Sequence, residues 1–239
     1  MKRLTTAACV VALAVGAVAC DKTPETPVVQ TPGATLWEGD SVTFQTLYGG
    51  GSADGAQTNA GIGSTALKCV TAIDPNCLPA VTNTPLRVGE GEVDRILWAL
   101  GLNDANPVNE GWTQTDADSW RVILNKVPAP SCMVLVLPGL GAGAAQTHKD
   151  EVSELRAWVT AYAATRPNTP VIDWQPYAND PTLMDKDGIH LRWVDVAGVD
   201  ETTQAMRYAA DLVSTPPQVD PNAAAVRADF YRSGLEQCT

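Results

Sequence analysis

The chain has 239 residues, of which 45% are hydrophobic and 18% charged, so it holds enough apolar material for one domain with a sizeable core and is not a disordered polymer. A net charge of −11 without any basic run excludes a nucleic-acid-binding face and serves solubility.

Lys2 and Arg3 precede a small, apolar stretch from Thr5 to Ala19. This reads as a secretory signal peptide over residues 1–19, too short and too weakly flanked for a spanning helix. Ala17-Val18-Ala19 fits ordinary signal peptidase. With Cys20 added, the same residues resemble a bacterial lipobox, although Ala17 stands where leucine is usual. On that reading Cys20 carries lipid and becomes the N-terminus, and the protein is an exported cell-envelope lipoprotein, anchored to a membrane facing outside the cytoplasm. Plain secretion is the alternative. Residues 20–35 are rich in Pro and Thr and lack any apolar period, as in a semi-extended tether. Residues 36–239 are the folded domain.

The six cysteines include Cys9 in the signal. If Cys20 is lipidated, Cys69, Cys77, Cys132 and Cys238 remain. Four cysteines allow three pairings. Cys69–Cys77 with Cys132–Cys238 is favoured because a local bridge is the simpler event.

Leu36-Trp37 begins a first strand that runs into the turn Gly39-Asp40-Ser41, and Val42 to Tyr48 continues as helix. A Gly-rich loop follows, from Gly49 to Gly55. Gln57 to Ile62 is a short second strand. Arg95 to Leu102 is an unbroken apolar run, as in a strand buried on both faces. Asp116 to Val127 reads as helix, Cys132 to Leu137 as the central strand, and Thr147 to Thr165 as the clearest helix. Pro170 to Trp174 is the next strand and Asn179 to His190 a polar loop. Thr202 to Val213 and a shorter stretch, Asn222 to Tyr231, are helical. Strands alternating with helices imply a parallel sheet covered on both faces, with sites where strand C-termini open into loops. Ser41, Gly61, Asn103 and the 179–190 loop each follow such a strand.

Ester chemistry needs a nucleophile, a base, a group that orients the base, and oxyanion donors. The chain has two histidines. His148, near a helix start, reads as a solvated residue. His190 lies in Asp187-Gly188-Ile189-His190, where the carboxylate can reach the imidazole and fix its tautomer.

Four separated blocks resemble those of the SGNH (GDSL-type) hydrolase family: Gly39-Asp40-Ser41, Asn59-Ala60-Gly61, Gly101-Leu102-Asn103-Asp104 and Asp187 to His190. They stand in the family's order and span about Leu36 to Val213. The resemblance implies a three-layer α/β/α sandwich around a mainly parallel, flavodoxin-like five-stranded sheet. It implies Ser41 as nucleophile, His190 as general base and Asp187 orienting it. The Ser41 N–H, the Gly61 N–H and the Asn103 amide would form the oxyanion hole. Neither metal nor cofactor is required. The expected substrate is a small ester or acylated glycan, and the expected state a monomer.

A G-x-S-x-G elbow is absent. Gly139 to Ala144 fits the loose G-x-G-x-x-[GA] dinucleotide template, but so does Gly61 to Ala66, which shows how unselective it is. Trp37, Trp112 and Trp193 flank the site loops, whereas Trp98, Trp120, Trp158 and Trp174 read as core. Three functions follow: a serine esterase, an O-acyltransferase acting on envelope glycans, and a non-catalytic carbohydrate-binding lipoprotein. The intact Ser41, Asn103, Asp187 and His190 argue against the third.

Overall fold

Five short strands pair in parallel, in the order β2-β1-β3-β4-β5, in a computed structural model that describes residues 34–60, 65–66, 79–82, 84, 93–194 and 219–238. The strands are β1 (Ala34–Gly39), β2 (Gln57–Ala60), β3 (Val93–Ala99), β4 (Cys132–Leu137) and β5 (Val171–Asp173). Among the described residues, helices α1 (Ser41–Tyr48), α2 (Gln114–Leu124), α3 (Gln146–Ala163) and α4 (Pro221–Leu235) accompany them. The expected fold is present, with the flavodoxin-like strand order. Residues 1–33, Gly61, Cys69, Cys77 and the helix read at 202–213 lie outside the described residues.

The sheet is buried on both faces, and side-chain alternation sorts its residues. Ile96 and Trp98 of β3, with Met133 and Leu135 of β4, pack with Trp120 and Ile123 of α2 and Leu155 of α3. Leu97 and Ala99, with Val134 and Val136, pack with Trp37, Ile172 and Tyr231 of α4. The period of two therefore delivers one apolar set to each helix layer. Trp37 and Trp112, read as flanking the site, are both core residues. Trp37 meets Tyr231 edge-on, and Trp112 joins Trp120 and Trp158 in an aromatic cluster.

Helix α4 runs four residues beyond the expected end at Tyr231. Gly234 lowers helix propensity, but it lies where a Cβ would press on Ile172 and Val134 at 2.7 and 2.8 Å. Close packing on the sheet, not propensity, sets that end. Cys238, just past α4, is joined to Cys132 at the start of β4.

Strand order reverses between β1 and β3, because β1 is followed outward by β2 and then inward by β3. Ser41 follows β1 and Asn103 follows β3, so the two residues flank the switch point where such sheets bind ligands.

Candidate active site

Ser41 is the first residue of α1, directly after the Asp40 N-cap. The Asp40 carboxylate accepts from the Val42 N–H at 3.1 Å, and its carbonyl accepts from Phe44 N–H. Both contacts fix the turn that presents Ser41. A Cβ at Gly39 would collide with the Thr43 side chain, so the turn needs glycine there.

Met184 and Leu191 form an antiparallel bridge, and the Asp185 N–H donates to the His190 carbonyl. The enclosed turn carries Asp187 and His190. Asp187 Oδ1 accepts from the Ile189 and His190 N–H groups at 2.8 and 3.0 Å, leaving Oδ2 for His190 Nδ1 at 2.6 Å. His190 Nε2 lies 3.2 Å from Ser41 Oγ, across 149 residues of chain. That spacing suits an unliganded site, where such bonds are loose.

Burial alone would lower the His190 pKa. The Asp187 hydrogen bond and charge, with Asp40 and Asp185 beyond, outweigh burial and raise it. Burial pushes Asp187 up, but the His190 contacts and two backbone N–H groups bring it below the usual carboxylate range. The pair therefore favours a charged imidazolium beside a carboxylate.

Gly139 to Gly143 form the bed of this turn. The Gly141 N–H donates to the Gly188 carbonyl at 2.7 Å. A Cβ at Gly139 would meet Gln175 backbone at 2.7 Å, and one at Gly143 would collide with the Lys186 carbonyl. These glycines permit close approach of two backbones. Beside the turn, an open cavity of about 580 Å³ is lined by residues that include Gly141, Asp185, Gly188, Arg192 and Trp193.

Buried carboxylates tie the site's loops together. Glu38 on β1 accepts from Asn59 Nδ2 at 2.7 Å and from Thr84 Oγ1 at 2.8 Å. Asp104 accepts from the Ala66 N–H and from Trp120 Nε1, both at 3.1 Å. Burial pushes the Asp104 pKa up to about 7 and that of Asp40 up to about 6. His148 is not a solvated residue. It is buried, and its Nε2 lies 3.0 Å from the Leu102 carbonyl. The turn after β3 folds over the first turn of α3 and covers it. Asn103, half-buried, sits at the crest of that turn.

No protein-family sequence model matches the chain, and no curated protein sequence does either. Solved structures do. The C-terminal catalytic domain of Streptococcus pneumoniae peptidoglycan O-acetyltransferase A (OatA), captured as a methylsulfonyl adduct, has 21% identity and a TM-score of 0.55, with 86% of this chain and 94% of that one covered. An inhibitor-bound M. smegmatis aryl esterase has 16% identity and a TM-score of 0.50, with coverages of 85% and 100%. Est24, a carbohydrate acetylesterase from Sinorhizobium meliloti, has 16% identity and a TM-score of 0.50, with coverages of 84% and 99%. The chain has the SGNH-hydrolase fold.

On this SGNH-hydrolase scaffold, Ser41, Asp187 and His190 are brought together, and Asn103 lies on the neighbouring strand end. Gly61 belongs to the undescribed residues, while just before it Asn59 donates to Glu38 and Ala60 pairs with Gly39 of β1. Sequence reasoning missed Asp40, Gln45, Asp104 and His148 as residues that support the site. Gln45 carried a signal, because it stands one helical turn after Ser41, and so did His148, which stands four residues before Val152 on the apolar face of α3.

Proposed function

We propose that the protein is a serine esterase that hydrolyses acyl esters, small O-acyl groups such as acetyl among them, through Ser41. The hydrogen-bonded chain from Ser41 Oγ through His190 to Asp187 carries this reading. His190 Nε2 takes the Ser41 hydroxyl proton while Oγ attacks the acyl carbonyl. The Ser41 N–H, the Gly61 N–H and the Asn103 amide hold the developing oxyanion, and one such donor is worth roughly 3–4 kcal/mol in the transition state. The tetrahedral intermediate collapses, the ester C–O bond breaks, and His190 returns its proton to the departing alkoxide. Water, deprotonated by His190, then attacks the acyl-enzyme and frees Ser41. Asp187 keeps the Nδ1–H tautomer and stabilises the imidazolium formed in both halves.

Acyl transfer is the second reading, supported by the similarity to an O-acetyltransferase domain. A sugar hydroxyl would then replace water in the second half. The expected anchor at Cys20 would place either activity at an envelope surface, and the Cys132–Cys238 bridge suits an oxidising compartment.

The test is a panel of acetylated sugars, aryl esters and longer acyl esters, offered to wild type and Ser41→Ala. Acyl release to water that disappears in Ser41→Ala supports the esterase. Transfer to an added sugar that outpaces release to water supports the transferase. Sugar binding with neither reaction would overturn both.

A further inference from the structure

Leu102 is one residue before Asn103, and its carbonyl is met by a buried polar side chain. Its N–H faces the Asp40 carboxylate closely enough to lower that group's pKa, and Asp40 also caps the helix that starts at Ser41. Its carbonyl lies 3.0 Å from His148 Nε2. A carbonyl only accepts, so His148 Nε2 carries a hydrogen and donates. His148 is buried, and burial holds its pKa below the usual value, which keeps the ring neutral with its hydrogen on Nε2.

The rest of this turn is equally constrained. Gly101 has φ +127°, a region that suits glycine, and a Cβ there would press on Leu155 at 2.9 Å. The Asp104 carboxylate is anchored on the Ala66 N–H and Trp120 Nε1. The residues flanking Asn103 are buried and held, whereas Asn103 itself stands half-exposed at the crest.

We infer that His148 is a positioning residue for the Asn103 amide, acting through the Leu102 peptide; this rests on the esterase reading above. His148 sets that peptide relative to α3. It thereby holds the oxyanion donor at its distance from the nucleophile. An oxyanion donor works only where the transition-state oxygen forms, so a small displacement costs rate rather than substrate affinity. The effect belongs to kcat, because the ground-state carbonyl gains little from the donor.

A double-mutant cycle with p-nitrophenyl acetate tests this. His148→Ala is expected to lower kcat by about 10- to 100-fold with KM nearly unchanged. His148→Gln, whose amide can still donate to the Leu102 carbonyl, is expected to recover most of kcat. In an Asn103→Ala background His148→Ala is expected to cost less than about threefold, because the group it positions is gone. An equal loss in both backgrounds overturns the inference, as does a loss in KM alone. Equal loss from Ala and Gln also overturns it, since His148 would then serve packing only. Absence of ester hydrolysis in folded wild type overturns the esterase reading itself, whereas an active wild type with an additive cycle overturns only the role of His148.

Discussion

Gln45 Oε1 accepts the Leu191 N–H at 3.0 Å, joining the nucleophile's own helix to the residue after His190. Gln45 is fully buried one turn beyond Ser41, so nucleophile and base share a rigid link that neither motif contains. Gln45→Leu keeps the volume, removes the acceptor and strands a buried N–H. The expected result is a fall in kcat of about 10- to 100-fold with little change in KM, read from steady-state ester hydrolysis. An unchanged kcat would mean that the bridge at Met184 and Leu191 holds His190 without Gln45.

The Asp187–His190 contact has a pH signature. His190 must be neutral to take the Ser41 proton, and its pKa is raised, so kcat/KM should climb with pH through a midpoint above the ordinary histidine value of about 6.5. Asp187→Asn removes the nearest charge that raises it and leaves burial, which lowers it, against only the lesser pull of Asp40 and Asp185. The midpoint should then move down while the plateau falls by on the order of 10⁴, because Nδ1–H is no longer fixed. A pH–rate profile of both proteins checks the two effects separately.

Gly143 lies against the backbone of Lys186 and Asp187. Gly143→Ala forces the turn away from its bed, and overpacking of this kind costs about 1–3 kcal/mol. Activity should fall more than stability, because the displaced turn carries Asp187. Thermal unfolding and kcat measured on one preparation distinguish this from general misfolding.

Asp104 carries a pKa pushed up to about 7 by burial, against Trp120 Nε1 and the Ala66 N–H, which lower it. The folded state therefore binds this proton more tightly than the unfolded chain. Its contribution to stability is present at acid pH and declines as pH rises from about 4 towards 7. Asp104→Asn keeps an acceptor oxygen and never ionises. Relative to wild type it should gain stability between pH 5 and pH 8, by on the order of 1–3 kcal/mol at the upper end. Urea unfolding at the two pH values reads the gain, and an equal difference at both would contradict the assignment.

The fold was legible because its signals are local. β4 is a continuous apolar run from Cys132 to Leu137, and the turns after β1, β3 and β5 carry Gly, Asn and Asp at short spacing. The pairing of Asp187 with His190 was legible for the same reason, since both lie in one turn. The supports of the site were not. His148 stands near a helix start, which suggests solvent, although it lies four residues before Val152 on the apolar face, and the Gly101–Asp104 turn packs over it. Gly139 to Ala144 fits a dinucleotide template in one dimension, yet its glycines answer to the backbone of Gln175 and Lys186. Asp40 caps α1, and Leu102, whose N–H lowers its pKa, is 62 positions away.

The central claim is that His190 activates Ser41. A fluorophosphonate probe, followed by intact-mass and peptide analysis, tests it most directly. Wild type should gain one phosphonate on Ser41, Ser41→Ala none, and His190→Ala should react more slowly by at least about 10³-fold. A folded wild type that takes no label, or labelling that persists unchanged in Ser41→Ala, would contradict it.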